Sequence, residues 1–366
     1  MLFRSSQSGS GADQNGYGAP GASAPECWWD ICDNGIVAEK AITAWLDLGG
    51  RRIDDATSYY HPKATGRALN ATSVPREEIY YVSKTGPSDP LGYDDVLAQA
   101  ESIRTIVGLD YVDALLVHWP TGGQQGTIAT NVSTDPACQT MNATYDEKQC
   151  RLNTWRAMVK LYESGFARAI GVSNYNRTHI EEIIEAGLPL PAINQIPYNP
   201  HRHRSHAEME QLCKTLGILV NGYSPFGVLD LANASGSRGG HVWPPSVGAP
   251  SLLEEPIIVK IAAKHNATAA QVLSAWSVAV GIPVNPRTKN QSHMEENLAA
   301  WQVPLTAEDL FELSSLPESP CDIDPYWYQC TPTSTACPPQ CCQTPPCKAD
   351  SAGYCCAGAN QAVKTI

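Results

Sequence analysis

From residue 35 to about 317 the chain alternates between two apolar patterns: short runs rich in β-formers, and longer stretches whose apolar positions recur at helical spacing. The short runs are RRID (51–54), YYVSK (80–84), DALLVHW (113–119), ARAIGVS (167–173), PAINQI (191–196), ILVNGYS (218–224) and IPVNPR (282–287). Helical spacing marks residues 36–48, DDVLAQAESIRTIVG (94–108) and TWRAMVKLYESG (154–165). Strand–helix alternation of this length predicts an α/β fold with a parallel sheet, and the number of strands points to a closed (β/α)8 barrel. The rival, a doubly wound sheet, would carry a Gly-rich turn after its first strand, and the chain has none there.

The polar residues fall where a barrel enzyme needs them. Each run ends in a reactive or hydrogen-bonding group: Asp54, Lys84, His118, Ser173 with Asn174, Gln195, Tyr223 with Ser224, and Arg287. In a barrel the C-terminal strand ends converge on one mouth. One such residue reads as a cap for the following helix; the succession reads as a site. Two long inserts, residues 120–152 and 228–255, follow predicted strands and are expected to overhang that mouth.

Composition adds constraints. One barrel needs roughly 250 residues, so the 366 present divide into a Gly/Ser-rich lead (1–25), a barrel (26–320) with an irregular N-terminal region, and a Cys-rich extension (321–366). The formal net charge of -12 disfavours nucleic acid as a partner. No apolar run is long enough to span a membrane, and the lead lacks the apolar stretch of a signal peptide. The tail holds Cys321, Cys330, Cys337, Cys341, Cys342, Cys347, Cys355 and Cys356. With no His and no paired C-x-x-C spacing, it reads as a disulfide framework rather than a metal site, and no metal is expected. Cys27 with Cys32 and Cys138 with Cys150 are close in sequence, whereas Cys213 stands alone on a helical pattern as a buried thiol. Six disulfides and one thiol are therefore expected from the 13 cysteines. Sequons begin at Asn70, Asn131, Asn142, Asn176, Asn233, Asn266 and Asn290. Cysteines and sequons together predict a secretory-pathway or extracellular protein; the alternative is a cytoplasmic one with sequons by accident of composition. The tail is the candidate contact for a protein partner.

Blocks of sequence then carry a resemblance. GGRRIDDATSYY (49–60), VSK (82–84), LLVHWP (115–120), RAIGVSNYN (168–176), INQIPYNP (193–200), YSPFG (223–227) and the stretch 251–276 resemble segments of the aldo-keto reductases, in the same order, from about residue 36 to 316. The resemblance implies a TIM barrel that reduces aldehyde or ketone carbonyls with NADPH. It implies a catalytic tetrad of Asp54, Tyr59, Lys84 and His118. Carbonyl reduction needs a hydride on carbon and a proton on oxygen, and Tyr59 is the expected proton donor. A phenol gives up its proton more readily beside a cation, the expected role of Lys84, which Asp54 would hold by a charge-assisted hydrogen bond. His118 would orient and polarise the carbonyl oxygen.

By the same resemblance Ser173, Asn174 and Gln195 would hold a nicotinamide carboxamide, and Tyr223 would stack on the ring. Ser224 and Phe226 would line the pyrophosphate path. PRTKNQSHMEEN (286–297) is similar to the segment that grips the adenosine 2′-phosphate, with Arg287 and Thr288 at the phosphate and Glu296 and Asn297 at the adenine. His293 stands where the family usually has a second Arg, which predicts a weaker preference for NADP. The segment 18–35 lacks the Gly-x-Gly-Thr-like turn of the family's first strand. Trp28, Trp29, Tyr60, Trp119, Tyr326, Trp327 and Tyr328 form either an aromatic substrate wall or packing for the tail. The departures leave a second reading: a catalytically idle barrel serving as a structural or interaction glycoprotein in a secreted or luminal assembly.

Overall fold

The computed structural model describes residues 35–59, 62–86, 89–120, 133–139, 144–227 and 252–317. Seven parallel strands lie side by side in chain order: β1 (Arg52–Asp54), β2 (Tyr80–Thr85), β3 (Ala114–Val117), β4 (Ile170–Ser173), β5 (Ile193–Pro197), β6 (Leu219–Tyr223) and β7 (Val284–Asn285). Helix α1 (Ile36–Asp47) precedes β1. The connections after β1 to β5 carry α2 (Pro62–Ala71), α3 (Tyr93–Ile103), α4 (Glu147–Glu163), α5 (Arg177–Glu185) and α6 (Ala207–Leu216). Two helices, α7 (Pro256–Lys264) and α8 (Ala269–Ala279), separate β6 from β7, and α9 (Gln291–Ala299) and α10 (Ala307–Ser314) follow.

The sheet curls until its two edge strands face each other. Asn285 of β7 donates to Asp54 of β1, and Arg52 of β1 donates to Asn221 of β6. The result is a nearly closed α/β barrel whose remaining gap, between β7 and β1, is crossed by side chains. The region expected to form an irregular first strand lies outside the described residues, as do the lead, the Cys-rich tail and most of both inserts.

Strand periodicity sorts the residues into two populations. Outward positions such as Ile53, Tyr81, Leu115, Val117, Val172 and Ile196 join the layer between sheet and helices, with Trp45, Trp155 and Trp276 among its largest members. Inward positions Val82, Ala114, Leu116 and Ile193 form a separate, smaller cluster inside the barrel. The next inward positions toward the mouth are polar: Asp54, Lys84, Gln195, Asn221 and Asn285, all buried. The barrel interior is thus apolar below and polar above.

Several boundaries differ from the sequence pattern. β3, β4 and β7 are shorter than the apolar runs that marked them: β4 begins at Ile170, after an isolated Val112–Ala167 bridge, and His118 and Arg287 sit just beyond β3 and β7. The insert 120–152 ends in helix: α4 begins at Glu147, capped by Asp146, whose carboxylate accepts from the Gln149 amide at 3.0 Å. Its first turn is polar, so apolar spacing alone could not reveal it. On α4, Arg151 makes a buried two-pronged pair with Glu182 of α5 (2.8 and 2.9 Å). Cys138 and Cys150 form a disulfide that ties the insert to α4, and Cys213 is a buried thiol, as expected. No helix among the described residues is long and apolar enough to cross a membrane.

Two stability predictions follow from this packing. At Gly171 on β4, a Cβ would lie 2.6 Å from Leu116 Cδ2 and 2.7 Å from the Ile193 carbonyl. The backbone oxygen cannot yield as a flexible side chain would, so Gly171→Ala should cost about 1–3 kcal/mol and lower Tm by several degrees in a thermal melt. The disulfide closes a short loop, and replacing both Cys138 and Cys150 with Ser should cost about 3 kcal/mol, read as a reduced midpoint in urea titrations of the double variant.

Candidate active site

The site begins with a turn. After β1 the chain runs Asp55-Ala56-Thr57-Ser58-Tyr59, closed by a Tyr59 amide to Ala56 carbonyl bond of 3.0 Å. It is pinned to β2 by the amide and hydroxyl of Thr57, both donating to the Lys84 carbonyl (3.0 and 3.2 Å). The buried Asp55 carboxylate caps the Ala56 amide at 2.8 Å and accepts from the Tyr81 hydroxyl at 3.1 Å. Burial, followed by the adjacent Asp55 charge, pushes the Tyr81 phenol well above its ordinary value. Tyr81 is therefore a fixed neutral donor, and the turn that carries Tyr59 is held from both ends.

The four expected tetrad residues come together. Lys84 and Asp54, both fully buried, form an ion pair, and the Lys84 ammonium also donates to the Asp55 carbonyl at 2.9 Å. Lys84 Nζ lies 5.0 Å from the centre of the Tyr59 ring. The Tyr59 hydroxyl is 3.5 Å from His118 Nε2, with the rings edge to face. His118 follows β3, its amide bonded to the Thr85 carbonyl at 2.9 Å. Its Nδ1 lies 3.3 Å from the Gly86 carbonyl and 3.4 Å from Ser58 Oγ. The Gly86 carbonyl can only accept, which favours a proton on Nδ1. Trp119 is buried and stacks on His118; the other aromatics of the proposed wall lie outside the described residues.

The carboxamide set gathers beside the tetrad. Ser173 Oγ donates to the Gln195 carbonyl at 2.8 Å. Asn174 takes the left-handed conformation at φ 64°, which Asn tolerates better than most residues. Its amide donates to the His118 carbonyl at 2.9 Å and accepts from the Tyr223 hydroxyl at 2.7 Å. Ser224, also left-handed at φ 53°, has its carbonyl held by Asn199. Gln195 is turned into the barrel, donating to Asp54 Oδ2 and Asn221 Oδ1, each at 2.8 Å. Its Oε1 is buried without a hydrogen-bond partner among the described residues. A buried acceptor in that state is costly unless a donor arrives, and a carboxamide NH2 is such a donor. The residues therefore fit a nicotinamide.

The remaining predicted residues lie farther out. Arg287 is exposed just after β7, and Thr288 Oγ1 is 3.3 Å from Nδ1 of exposed His293. Glu296 accepts from Thr268 at the start of α8 at 3.0 Å, and Asn297 is half-buried on α9. Phe226 is partly buried against the main core, so its ring is committed to packing as well as to any ligand path.

Sequence reasoning missed Arg52, Asp55, Asn221 and Asn285. Their signal was available in part: Asp54 and Asp55 are adjacent acids beside a strand, and polar residues break the apolar pattern of β6 and β7 at inward positions. Burial pulls the Arg52 guanidinium below its ordinary value, with Asp54 opposing that shift.

Comparison with known proteins agrees with this geometry. The family model described as "Aldo/keto reductase family" matches residues 37–318. A 9,11-endoperoxide prostaglandin H2 reductase of Trypanosoma cruzi is 29% identical over 286 residues, covering 78% of this chain and 84% of the relative. A glyoxal reductase of Bacillus subtilis is 28% identical, covering 78% and 85%. The crystal structure of an aldo/keto reductase from Brucella melitensis superimposes with a TM-score of 0.60 at 27% identity, covering 77% of this chain and 90% of that one. A parallel barrel that brings Asp54, Tyr59, Lys84 and His118 together and a family match over most of its length lead to one conclusion: this chain belongs to the aldo/keto reductase family.

Proposed function

We propose that this oxidoreductase reduces aldehyde or ketone carbonyls to alcohols with NADPH, using Tyr59 as general acid. The observation that carries the reading is the convergence of the Tyr59 hydroxyl, His118 Nε2 and the buried Lys84–Asp54 pair at one barrel mouth. A nicotinamide bound there would supply the hydride for the carbonyl carbon. Ser173, Asn174 and Gln195 would hold its carboxamide, with the Gln195 Oε1 acceptor satisfied by the bound group. Tyr223 would support the ring. Arg287 and Thr288 would meet the 2′-phosphate, and His293, which lacks the two-pronged fork of a guanidinium, would add less than an Arg.

The chain's own part in the chemistry is proton delivery and positioning. Tyr59 transfers its hydroxyl proton to the carbonyl oxygen as charge develops there. The Lys84 ammonium then faces the resulting phenolate and stabilises it. Asp54 and the Asp55 carbonyl keep that ammonium directed upward instead of into the apolar lower barrel. The His118 ring, edge to face with Tyr59, would limit the oxygen's approach by its position, since with its proton on Nδ1 it has no hydrogen to offer the oxygen. With its proton on Nδ1, Nε2 accepts the Tyr59 hydroxyl until substrate takes that bond.

The Trypanosoma and Bacillus relatives are named for an endoperoxide and for glyoxal, compounds without a shared skeleton. That difference is what specificity set by residues outside the tetrad would produce. The Cys138–Cys150 disulfide and the exposed sequons at Asn70, Asn266 and Asn290 support a further proposal, that the protein works in an oxidising, secretory or extracellular compartment.

Quenching of tryptophan fluorescence by NADPH, with NADH as comparison, tests the cofactor assignment first. Saturable binding that favours NADPH is expected, and Arg287→Ala should narrow the preference by weakening NADPH alone. Tyr59→Phe should then lower kcat for a simple aromatic aldehyde by at least about 100-fold while leaving nucleotide affinity within twofold. No binding of either nucleotide would overturn the reading and favour a scaffold role.

A further inference from the structure

The polar upper layer of the barrel has more members than the tetrad uses. Asp54 sits on β1, an edge strand whose ladder partner among the described strands is β2 alone. One carboxylate oxygen takes Lys84. The other takes two amides, Gln195 at 2.8 Å and Asn285 at 3.3 Å. Gln195 belongs to β5, whereas Asn285 belongs to β7, on the opposite edge of the gap. Asn285 is 2% exposed.

The orientation of the Asn285 amide is dictated by its neighbours. Asn221 Nδ2 donates to the Pro283 carbonyl at 2.7 Å, and that carbonyl can only accept. Asn221 Oδ1 must therefore face the other way, where it accepts from Arg52 (3.1 Å), Gln195 (2.8 Å) and Asn285 (3.1 Å). Arg52 is a donor only, so it enforces the same orientation. Asn285 Oδ1 then accepts from Asn221 Nδ2 at 2.9 Å, which leaves Asn285 Nδ2 toward Asp54. A chain of fixed donors and acceptors thus runs from a backbone carbonyl to the carboxylate that holds the tetrad lysine.

We propose that Asn285 is a positioning residue for Asp54 and, through Asp54, for the Lys84 ammonium that faces Tyr59. It touches no reacting atom; it fixes the rotation of the carboxylate across a gap that no backbone ladder spans among the described strands. This inference rests on the reductase reading given above. The charged groups around Asn285 are Asp54 and Arg52 on β1 and Lys84 on β2, with neutral Gln195 and Asn221 on β5 and β6.

Two substitutions separate positioning from simple barrel closure. Asn285→Leu keeps the volume and removes the donor; kcat for 4-nitrobenzaldehyde with NADPH should fall roughly tenfold or more, with substrate KM and nucleotide affinity within about twofold. Asn285→Asp keeps the acceptor for Asn221 but sets a second carboxylate against Asp54. Two facing carboxylates raise the proton affinity of the pair, so the new carboxyl regains a proton, and with it a donor, as pH falls. Activity relative to wild type should therefore recover several-fold between pH 8 and pH 6. In the nucleotide-free protein, the Tm losses of Asp54→Asn and Asn285→Leu should be non-additive, because both remove one shared bond. An inactive wild type that binds no nucleotide would overturn the reductase reading and this proposal together. An active wild type with additive Tm losses, an unshifted pH profile for Asn285→Asp and full activity for Asn285→Leu would overturn the proposal alone.

Discussion

Everything at the mouth of this barrel depends on one buried ion pair. Lys84 and Asp54 have no exposure to solvent, and two charges taken out of water cost several kcal/mol each unless their remaining hydrogen-bonding capacity is met. The structure meets it with specific groups: the Asp55 carbonyl for the ammonium, and the Gln195 and Asn285 amides for the carboxylate. Breaking such a pair from one side leaves an uncompensated charge, so the local structure has little freedom to drift. That rigidity is what the proposed proton donor would need, since Tyr59 would serve only while the ammonium stays beside its ring.

The same pair explains why the barrel interior is divided. Apolar Val82, Ala114, Leu116 and Ile193 fill the lower part, where Gly171 leaves room for Leu116 and the Ile193 backbone. Above them the inward positions turn polar, because a buried charge pair recruits amides and amides recruit one another. The layer also spans the gap between β7 and β1. Closure of the fold and preparation of the site are therefore served by the same side chains, and a change in one is felt in the other.

How much of this was legible in the sequence depends on the kind of signal. The seven strands and the helices α1, α3, α4 and α6 followed from apolar periodicity, because each strand has one face on the helix layer and each of these helices one face on the sheet. The tetrad, Ser173, Asn174 and Gln195 were legible because strand ends converge in a barrel and the blocks around them resemble a known family. What escaped were contacts between residues remote in sequence. Nothing in NGY or VNP announces that Asn221 and Asn285 pair with each other, and the meeting of Arg52 with Asn221 spans 169 positions. The role of Gln195 was only half visible: its carbonyl oxygen is buried without a partner among the described residues, and its NH2 group holds Asp54. The polar start of α4 escaped for a different reason, since its cap is a local hydrogen bond with no apolar period.

Gln195 links the two halves of the site. Its single amide plane presents Nε2 to Asp54 and Asn221 and leaves Oε1 buried and unmet. A donor arriving at Oε1 would lock that plane, and hydrogen bonds in series polarise one another in a low-dielectric interior. On the proposed function, occupation of the carboxamide position would reach Asp54 through Gln195, and Lys84 through Asp54. Asn174 completes the circuit from the other side, bonded both to the His118 carbonyl and to the Tyr223 hydroxyl. On the proposed function, a site wired in this way would favour proton delivery when the hydride source is seated. The loops above it are then left to choose the carbonyl, without disturbing the machinery below.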